Sequence, residues 1–379
     1  MGKLLARAMR KTSLAQVRHV RPVAPGAARG TVADVYRQVV DDFGMLAPPI
    51  ALHSPAPPAL AASWLMLRET LLTAGPGERA AREAVAAAVS HGNRCPYCVE
   101  VHGATLTGLV GRAGAPAVVD RGAGGLTDPR LRDLAAWAEA SGSPDPARRP
   151  PPPFPAARSA GLIGVAVTFH YLNRMVNVFL TDSPLPALPP AARGGARRAA
   201  AGLFGALARP DRPPGRSLAL LPPAAAPPDL AWAAGSPLIA DALARAARAI
   251  DECAATAAPE PVRRLVGDRL AHAGEGTPGP VGRSELDALV APLDPAQRPA
   301  ARLALLVTLA SYQVTDRLIG EVRAAGHDDA ALVALCAWAS LAAARQAGGR
   351  LHEDLRRAGG GQPSISGEDT PTAAPPSWD

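Results

Sequence analysis

The sequence predicts an all-α protein, and three observations support this fold class. Hydrophobic residues make up 48% of the 379 residues while aromatic residues make up 4%, so the core must consist mainly of Ala, Leu and Val. Alanine has the highest helix propensity and is depleted in strands. Several segments repeat apolar residues at the i, i+3, i+4 spacing of an amphipathic helix. The length allows about two domains, and the lack of an internal apolar run of about 18 residues argues against a membrane protein.

The charge pattern does not predict a nucleic-acid partner. The 40 Lys and Arg residues outnumber the 33 Asp and Glu residues, which gives a net charge of +7, but the cations are scattered and few aromatic residues lie among them. The N-terminal segment is basic and lacks the apolar stretch and cleavage site of a secretory signal. We therefore predict a cytoplasmic protein, in which a disulfide would be catalytic or redox-sensing.

Six helices are predicted in the first part of the chain, after a basic arm at residues 1–30. The first begins at Thr31, a suitable N-cap residue, and continues with apolar residues at helical spacing. The last carries an apolar face from Leu162 to Val176. The five predicted helices that follow the first cover about 59–72, 77–90, 95–109, 130–140 and 157–180.

The remaining chain divides by composition. Residues 31–182 form the first predicted domain, and residues 183–229, rich in Pro, Ala and Arg, form a linker with one short helix at 196–208. A second helical domain follows at 230–357. The tail at 358–379 lacks an apolar pattern and is predicted to be disordered.

The two helical domains show a weak internal repeat. Residues 54–72 resemble 236–254, and residues 81–102 resemble 301–322. The long helix predicted after Ala157 likewise parallels one after Asp328. If the repeat is a true duplication, the second copy has lost the ionisable residues of the first and is an inactive partner that buries it. The aligned residues are Leu303, Thr315, Leu318 and Val322 opposite Glu83, Cys95, Cys98 and His102.

A Cys-x-x-Cys motif carries the clearest chemistry. Gly92 and Asn93, which tolerate left-handed backbone, are expected to end one helix. Pro96 suits the first position of the next helix, which places Cys95 near the N-cap and Cys98 in the first turn. A thiol at this end of a helix is expected to have a lowered pKa, because unpaired backbone N–H groups stabilise the thiolate. One helical turn separates the two cysteines, so they can form a disulfide.

Two ionisable residues complete this group. His102 lies four residues after Cys98 on the same helical face and can accept or relay a proton. Glu83 lies on the preceding helix, and an antiparallel turn would bring it back toward the cysteines. His91, four residues before Cys95, is interpreted as a helix-end histidine bonded to carbonyl groups, with assistance to the cysteines as the alternative.

Several kinds of site share a Cys-x-x-Cys motif. A structural zinc site needs a second ligand pair, and Cys253 and Cys336 are single and distant; a three-ligand site of Cys95, Cys98 and His102 alone stays open as a minor alternative. Covalent haem attachment requires a histidine directly after the second cysteine, where this chain has Val99. A thioredoxin fold would place the motif after a strand, whereas an alanine-rich helix precedes it. A helical redox dithiol is the favoured interpretation, and two buried cysteines without chemistry are the alternative.

Other polar residues are weaker candidates. His170, Asn173 and Asn177 form a stripe on one predicted helix and are expected to hydrogen-bond between helices, with a substrate pocket as the alternative. Arg174 is a candidate partner for an anionic substrate or for Glu83. Four further residues are predicted to have packing roles or no chemistry: Trp64, Trp232, Cys253 and Cys336.

The Cys-x-x-Cys segment resembles the alkylhydroperoxidase D-like family of the carboxymuconolactone decarboxylase-like superfamily. The family motif is a Glu, a Cys-x-x-Cys beginning twelve residues later and a His four residues after the second Cys. Glu83, Cys95, Cys98 and His102 match every spacing. The resemblance covers about residues 31–180 and extends to 231–357 as a degenerate second copy.

The resemblance implies a thiol-dependent peroxide reductase, an oxidoreductase of peroxiredoxin-type activity that needs no cofactor or metal. In this family the second cysteine of the pair attacks peroxide and becomes a sulfenic acid, which the first resolves to a disulfide. Cys98 would therefore be peroxidatic and Cys95 resolving, with Glu83 and His102 as a proton relay. Well-studied members often have a histidine between the cysteines, where this chain has Tyr97, and this difference leaves the rate and the reductant open.

The same resemblance implies a small-molecule peroxide substrate, a dithiol electron donor and a homo-oligomer, without a nucleic-acid or membrane partner. Two other functions stay open. One is a redox-sensing dithiol protein without turnover, to which the proline-rich linker and tail would contribute. The other is a decarboxylase-type enzyme of the same superfamily, a branch that generally lacks the cysteine pair.

Overall fold

The computed structural model describes residues 14–75, 77–115, 117–184, 190–272 and 281–359. Within these ranges the regular structure is helical, apart from an isolated bridge between Val17 and Leu180, so the all-α prediction is confirmed. The α-helices are α1 Gly30–Phe43, α2 Pro48–Ala51, α3 Pro57–Leu67, α4 Glu78–Gly92, α5 Pro96–Gly114, α6 Val118–Arg121, α7 Pro129–Ala140, α8 Ser159–Phe179, α9 Pro190–Ala208, α10 Pro237–Cys253, α11 Glu260–Ala271, α12 Arg283–Val290, α13 Arg298–Ala310, α14 Asp316–Ala324 and α15 Asp329–Gly359.

Helices α1 and α9 begin earlier than the sequence predicted. Helix α1 starts at Gly30 and its cap residue is Arg29, in extended backbone, so Thr31 is not the N-cap. Helix α9 starts at Pro190 rather than near 196, because proline is favoured in the first turn and alanine and arginine then propagate the helix. The expectations for residues 1–13 and 360–379 fall outside the described residues.

Helix α4 is the centre of the first half of the chain. It packs against α5, α7 and α8, and its residues from Ala84 to Ser90 are buried. The small alanine side chains let neighbouring helices approach closely, which suits an aromatic-poor core. Helix α9 lies along α5, so the segment between the two halves forms part of the first-half surface.

The two halves pack through helices that the predicted repeat would align with each other. Helix α10 packs on α3, and α15 packs on α8. These pairs join segment 236–254 to segment 54–72, and the long helix of the second half to that of the first. One continuous cluster of buried apolar residues runs through both halves, from Val20 to Leu351.

A buried ion cluster fastens the segment after α9 to the first half. Arg68, which is 1% exposed, donates to the Asp42 carboxylate at 2.8 Å and to the Glu69 carboxylate at 3.0 Å. Arg68 also donates to the carbonyl of Pro213 at 3.0 Å, and the N–H of Gly215 donates to Glu69 at 2.8 Å. Because buried charges are tolerated only when they are paired and hydrogen-bonded, this cluster fixes where the chain goes after α9.

Among the described residues, helix α15 is long and apolar enough to cross a membrane by length and composition alone, over Asp329–Ala358. In the fold, 72% of that apolar stretch is buried inside the protein. The helix packs against α8 and α13, as a core helix does.

Candidate active site

A Schellman turn ends α4, and the cysteine pair follows directly after it. The N–H of Cys95 donates to the carbonyl of Ser90 at 2.9 Å, and the N–H of Arg94 donates to that of His91 at 3.0 Å. These two hydrogen bonds define a Schellman motif, in which the residue with left-handed backbone is usually glycine. Here the left-handed residue is Arg94, at φ 52°, rather than Gly92 or the next residue as the sequence predicted.

Gly92 and Asn93 have other roles at this turn. A Cβ on Gly92 would lie 2.4 Å from the carbonyl oxygen of Glu139, so the glycine permits close contact with the end of α7. Asn93 uses its side chain to donate to Asn173 at 2.9 Å. Nδ1 of His91 lies 2.8 Å from the Glu139 carboxylate, so the partner found for this ring is a carboxylate and not a helix-end carbonyl.

The cysteines occupy the first turn of α5 as predicted. Cys95 is the N-cap residue, Pro96 is the first helical residue and Cys98 is the third. Both thiols are free and buried, with exposures of 0% and 3%. Burial, and then the neighbouring Cys98 thiol, raise the pKa of Cys95 well above its ordinary value. The lowering expected at a helix N-terminus is therefore wrong for Cys95, because desolvation of the thiolate outweighs the helix dipole.

The antiparallel turn between α4 and α5 brings Glu83 to His102. The Glu83 carboxylate and Nδ1 of His102 are 2.7 Å apart, and Glu83 is 1% exposed. The other carboxylate oxygen of Glu83 accepts from Nε of Arg79 at 2.9 Å and from Nη2 at 2.7 Å. Sequence reasoning missed Arg79, although its position four residues before Glu83 on one helix is the spacing of an ion pair.

These contacts fix the charge of Glu83 and the tautomer of His102. Burial alone would raise the pKa of Glu83, but the Arg79 guanidinium and the His102 ring together lower it below its ordinary value. An ionised carboxylate only accepts hydrogen bonds, so Nδ1 of His102 must be the donor. When the ring is neutral, Nε2 therefore carries the lone pair and can accept a proton.

A cavity of about 190 Å³ opens beside α5. Cys98, Glu83 and His102 all line it, whereas Cys95 does not. The ring of Phe169 meets the His102 ring edge-on, with centroids 4.5 Å apart. Most of the other walls are apolar, including Phe43, Met45, Ile50, Leu67, Leu71, Val101, Leu172, Phe204 and Leu207.

Tyr97, at the position where well-studied family members often have a histidine, forms one wall of the cavity. Its hydroxyl donates to the side-chain oxygen of Gln16 at 2.9 Å, which ties the N-terminal segment to the site. Burial, and then the nearby cysteine thiols, raise the pKa of Tyr97 above its ordinary value. The phenol therefore stays protonated near neutral pH.

Helix α9 forms the outer wall of the cavity through Phe204, Leu207 and Ala208. Glycine makes its close packing on α5 possible. A Cβ on Gly108 would lie 2.1 Å from the carbonyl oxygen of Ala201, and the obstructing atoms belong to backbone that cannot swing aside.

Replacing Gly108 with alanine is therefore expected to push α9 away from α5 and open the cavity. The overpacking should lower the free energy of unfolding by about 1–3 kcal/mol, and a bulky maleimide should label Cys98 faster than in the wild type. Labelling is measured by mass spectrometry of the Cys98 peptide. Gly202→Ala on α9 is the control, because a Cβ there meets nothing within 4 Å and should leave the labelling rate unchanged.

The polar stripe on α8 hydrogen-bonds between helices, as expected. Asn173 donates to the Ser90 hydroxyl at 2.9 Å, and Nε2 of His170 lies 2.8 Å from the Ser141 hydroxyl. Asn177 donates to the Ser311 hydroxyl at 3.0 Å, across to the second half. These residues therefore support the turn before Cys95 and do not line the cavity beside Cys98.

The remaining sequence candidates lie away from the cavity beside Cys98. Arg174 donates to backbone carbonyls and not to Glu83. Trp64 and Trp232 are buried, as predicted. Cys253 and Cys336 are free, and burial raises the pKa of Cys253 to about 11. Among the described residues, no three His, Cys, Asp or Glu side chains are grouped so that they could hold a metal ion.

Comparison with known proteins agrees with the motif. The chain is 39% identical over 332 residues to alkyl hydroperoxide reductase Rv2159c of Mycobacterium tuberculosis. The aligned region covers 88% of this chain and 94% of that relative. No family model matches the chain, and no solved structure matches it. The chain belongs to the alkylhydroperoxidase D-like family.

Proposed function

We propose that this protein reduces organic hydroperoxides with Cys98 as the peroxidatic cysteine and Cys95 as the resolving cysteine. The observation that carries this proposal is that Cys98 and the Glu83–His102 pair line one cavity, while Cys95 is buried, does not line the cavity and neighbours the Cys98 thiol. The name of the relative supports peroxide reduction. The apolar walls favour an alkyl substrate over a small hydrated one, because burial of an alkyl chain there is favourable.

In the first step, Nε2 of His102 takes the proton of the Cys98 thiol, directly or through water. The thiolate attacks the terminal oxygen of the hydroperoxide, the O–O bond breaks, and the product is the Cys98 sulfenic acid. The alkoxide leaves as an alcohol after it receives the proton from His102. The ionised Glu83 stabilises the imidazolium that exists between these events, in the way a carboxylate orients a catalytic histidine.

In the second step, Cys95 attacks the sulfur of the sulfenic acid. A disulfide forms, and the hydroxyl leaves as water with the proton of the Cys95 thiol. Because the pKa of Cys95 is raised, this thiol is protonated at neutral pH and its proton is available to the leaving hydroxyl. A dithiol donor, predicted from the family resemblance, then returns both cysteines to thiols and is itself oxidised to a disulfide.

The two-step mechanism predicts a defined change in mass. One equivalent of cumene hydroperoxide should remove two mass units from the reduced protein, mapped to a Cys95–Cys98 disulfide. Cys95→Ser should instead gain one oxygen at Cys98, trapped by dimedone as a sulfenic acid adduct. Oxidation of any other cysteine first would contradict the assignment. Disulfide formation without multiple turnovers in the presence of dithiothreitol would indicate the redox-sensing function instead.

We also propose that the second half is an inactive copy of the first. The residues that the repeat aligns with the site residues support this proposal. Leu303, Leu318 and Val322 are buried apolar residues. Thr315 is the N-cap residue of α14, as Cys95 is of α5. The packing of equivalent helices on each other is the arrangement of a fused pair. The homo-oligomer and the cytoplasmic location stay predictions.

A further inference from the structure

A second cavity, of about 490 Å³, lies between the two halves of the chain. Its walls come from the turn after α4, from α8, from the end of α13 and from α15. None of its lining residues lines the cavity beside Cys98. It is the larger of the two, and the proposed peroxide chemistry does not use it.

Four arginines line this cavity and form no ion pair with any described residue: Arg94, Arg148, Arg174 and Arg350. We call the cavity and these four arginines the basic cleft. The two carboxylates that line it are already engaged, Glu139 by His91 and Glu285 by Arg269. The described part of the cleft therefore carries a surplus of positive charge.

The floor of the basic cleft holds its most constrained arginine. Nη1 of Arg174 donates to the carbonyl of His170 at 2.7 Å, and Nε donates to the carbonyl of Thr308 at 3.3 Å. These carbonyls hold the guanidinium in place without neutralising it. Burial lowers the pKa of Arg174 to about 10, so the group still carries its charge at neutral pH.

Arg350 lines the same cavity from α15. Burial, and then the charges of Arg174 and Arg350, lower the pKa of His170 well below its ordinary value. His170 is therefore neutral and supplies no compensating charge. An anion bound in this half-buried cleft would be attracted by all of the arginines that line it.

We propose that the basic cleft binds a multiply charged small oxyanion that carries phosphate or carboxylate groups. Arginine forks bind both groups through paired hydrogen bonds. Four guanidinium groups exceed the charge of a single carboxylate, and a volume of about 490 Å³ is that of a small organic molecule rather than a single inorganic ion. This inference does not depend on the proposed peroxide chemistry.

The test is calorimetric titration of the reduced full-length protein with pyrophosphate and, separately, with citrate, in a low-salt buffer free of phosphate. We expect saturable binding of at least one probe. Arg350→Gln should weaken it about tenfold or more, because each lost charge-assisted hydrogen bond has that magnitude. Arg356→Gln, an exposed arginine near the end of the same helix, is the matched control and should bind as the wild type does.

Each result bears on the proposal. Tighter pyrophosphate binding assigns the site to phosphates and tighter citrate binding to polycarboxylates, and both support it. No binding of either probe overturns it, as does an Arg350→Gln variant that binds like the wild type. Arg174→Gln loses two carbonyl contacts and could unfold, so Arg148→Gln at the rim is the second variant. The bound probe should raise Tm in the wild type and in Arg356→Gln more than in either cleft variant.

Discussion

Replacing Cys98 with serine is expected to abolish peroxide turnover. A serine hydroxyl is not ionised by a nearby imidazole to the extent that a thiol is, and it cannot form the sulfenic acid or the disulfide on which both steps depend. Loss of a covalent nucleophile lowers kcat by about three orders of magnitude or more. Consumption of cumene hydroperoxide in the presence of dithiothreitol measures the effect.

Cys253→Ser is the matched control for this experiment. Cys253 is a free, half-buried cysteine outside the cavity beside Cys98, and its thiol donates to the carbonyl of Ile250 at 3.4 Å. Its replacement should leave turnover at the wild-type level. Full turnover by Cys98→Ser would show that the peroxide reacts elsewhere and that the proposed mechanism is wrong.

Glu83→Gln has the second largest expected effect. The amide is neutral and cannot stabilise the His102 imidazolium, so the peroxidase rate should fall by about 10²–10⁴-fold, the range of a lost acid–base contribution. The variant should also lose about 3 kcal/mol of unfolding free energy at pH 7, because Arg79 keeps a buried charge without its partner. Steady-state kinetics and urea unfolding measure the two effects.

The loss of unfolding free energy caused by Glu83→Gln should become smaller at acidic pH. The pKa of Glu83 is lower in the folded chain than in the unfolded chain, so its carboxylate contributes stability above the unfolded value of about 4.3, and this contribution is lost as the pH falls through the folded value. The difference in unfolding free energy between the wild type and Glu83→Gln should therefore decrease below about pH 4. A gap that stayed constant down to pH 2 would contradict the ion pair.

Glu78→Gln is the control for Glu83→Gln. Glu78 lies on the same helix and pairs with Arg158 at 2.8 Å, but it is partly exposed and lies outside the cavity. Exposed pairs contribute about 0–1 kcal/mol. This variant should keep its turnover and most of its stability, which separates a loss of the proton relay from a general effect of removing a carboxylate from α4.

The sequence predicted the helices and the local geometry of the motif because both depend on residues near each other in the chain. Alanine content and apolar spacing indicated the helices, and Pro96 indicated the start of α5, which placed Cys95 and Cys98 correctly. The four-residue spacing from Cys98 to His102 and the antiparallel turn after Glu83 then indicated which side chains could meet.

Contacts distant in sequence could not be predicted in this way. The turn before Cys95 uses Arg94 as its left-handed residue because Gly92 is needed where α7 approaches, and that approach joins positions 47 residues apart. Burial sets the direction of the Cys95 pKa shift, and burial depends on every helix around the motif. The sequence did not predict that α9 forms a wall of the cavity beside Cys98, because a Pro/Ala/Arg-rich composition is typical of a linker.

The cavity beside Cys98 is built from three separate parts of the chain. Gln16 precedes the first helical bundle and Phe204 follows it, so neither lies within the segment 31–182 that composition marks as a domain. A fragment trimmed to those bounds would keep all four motif residues but would expose Cys98 to solvent and leave Tyr97 without its hydrogen-bond acceptor. The smallest piece that keeps the whole cavity is therefore longer than segment 31–182, and variation in helix α9 can change the size of the cavity without changing the cysteine motif.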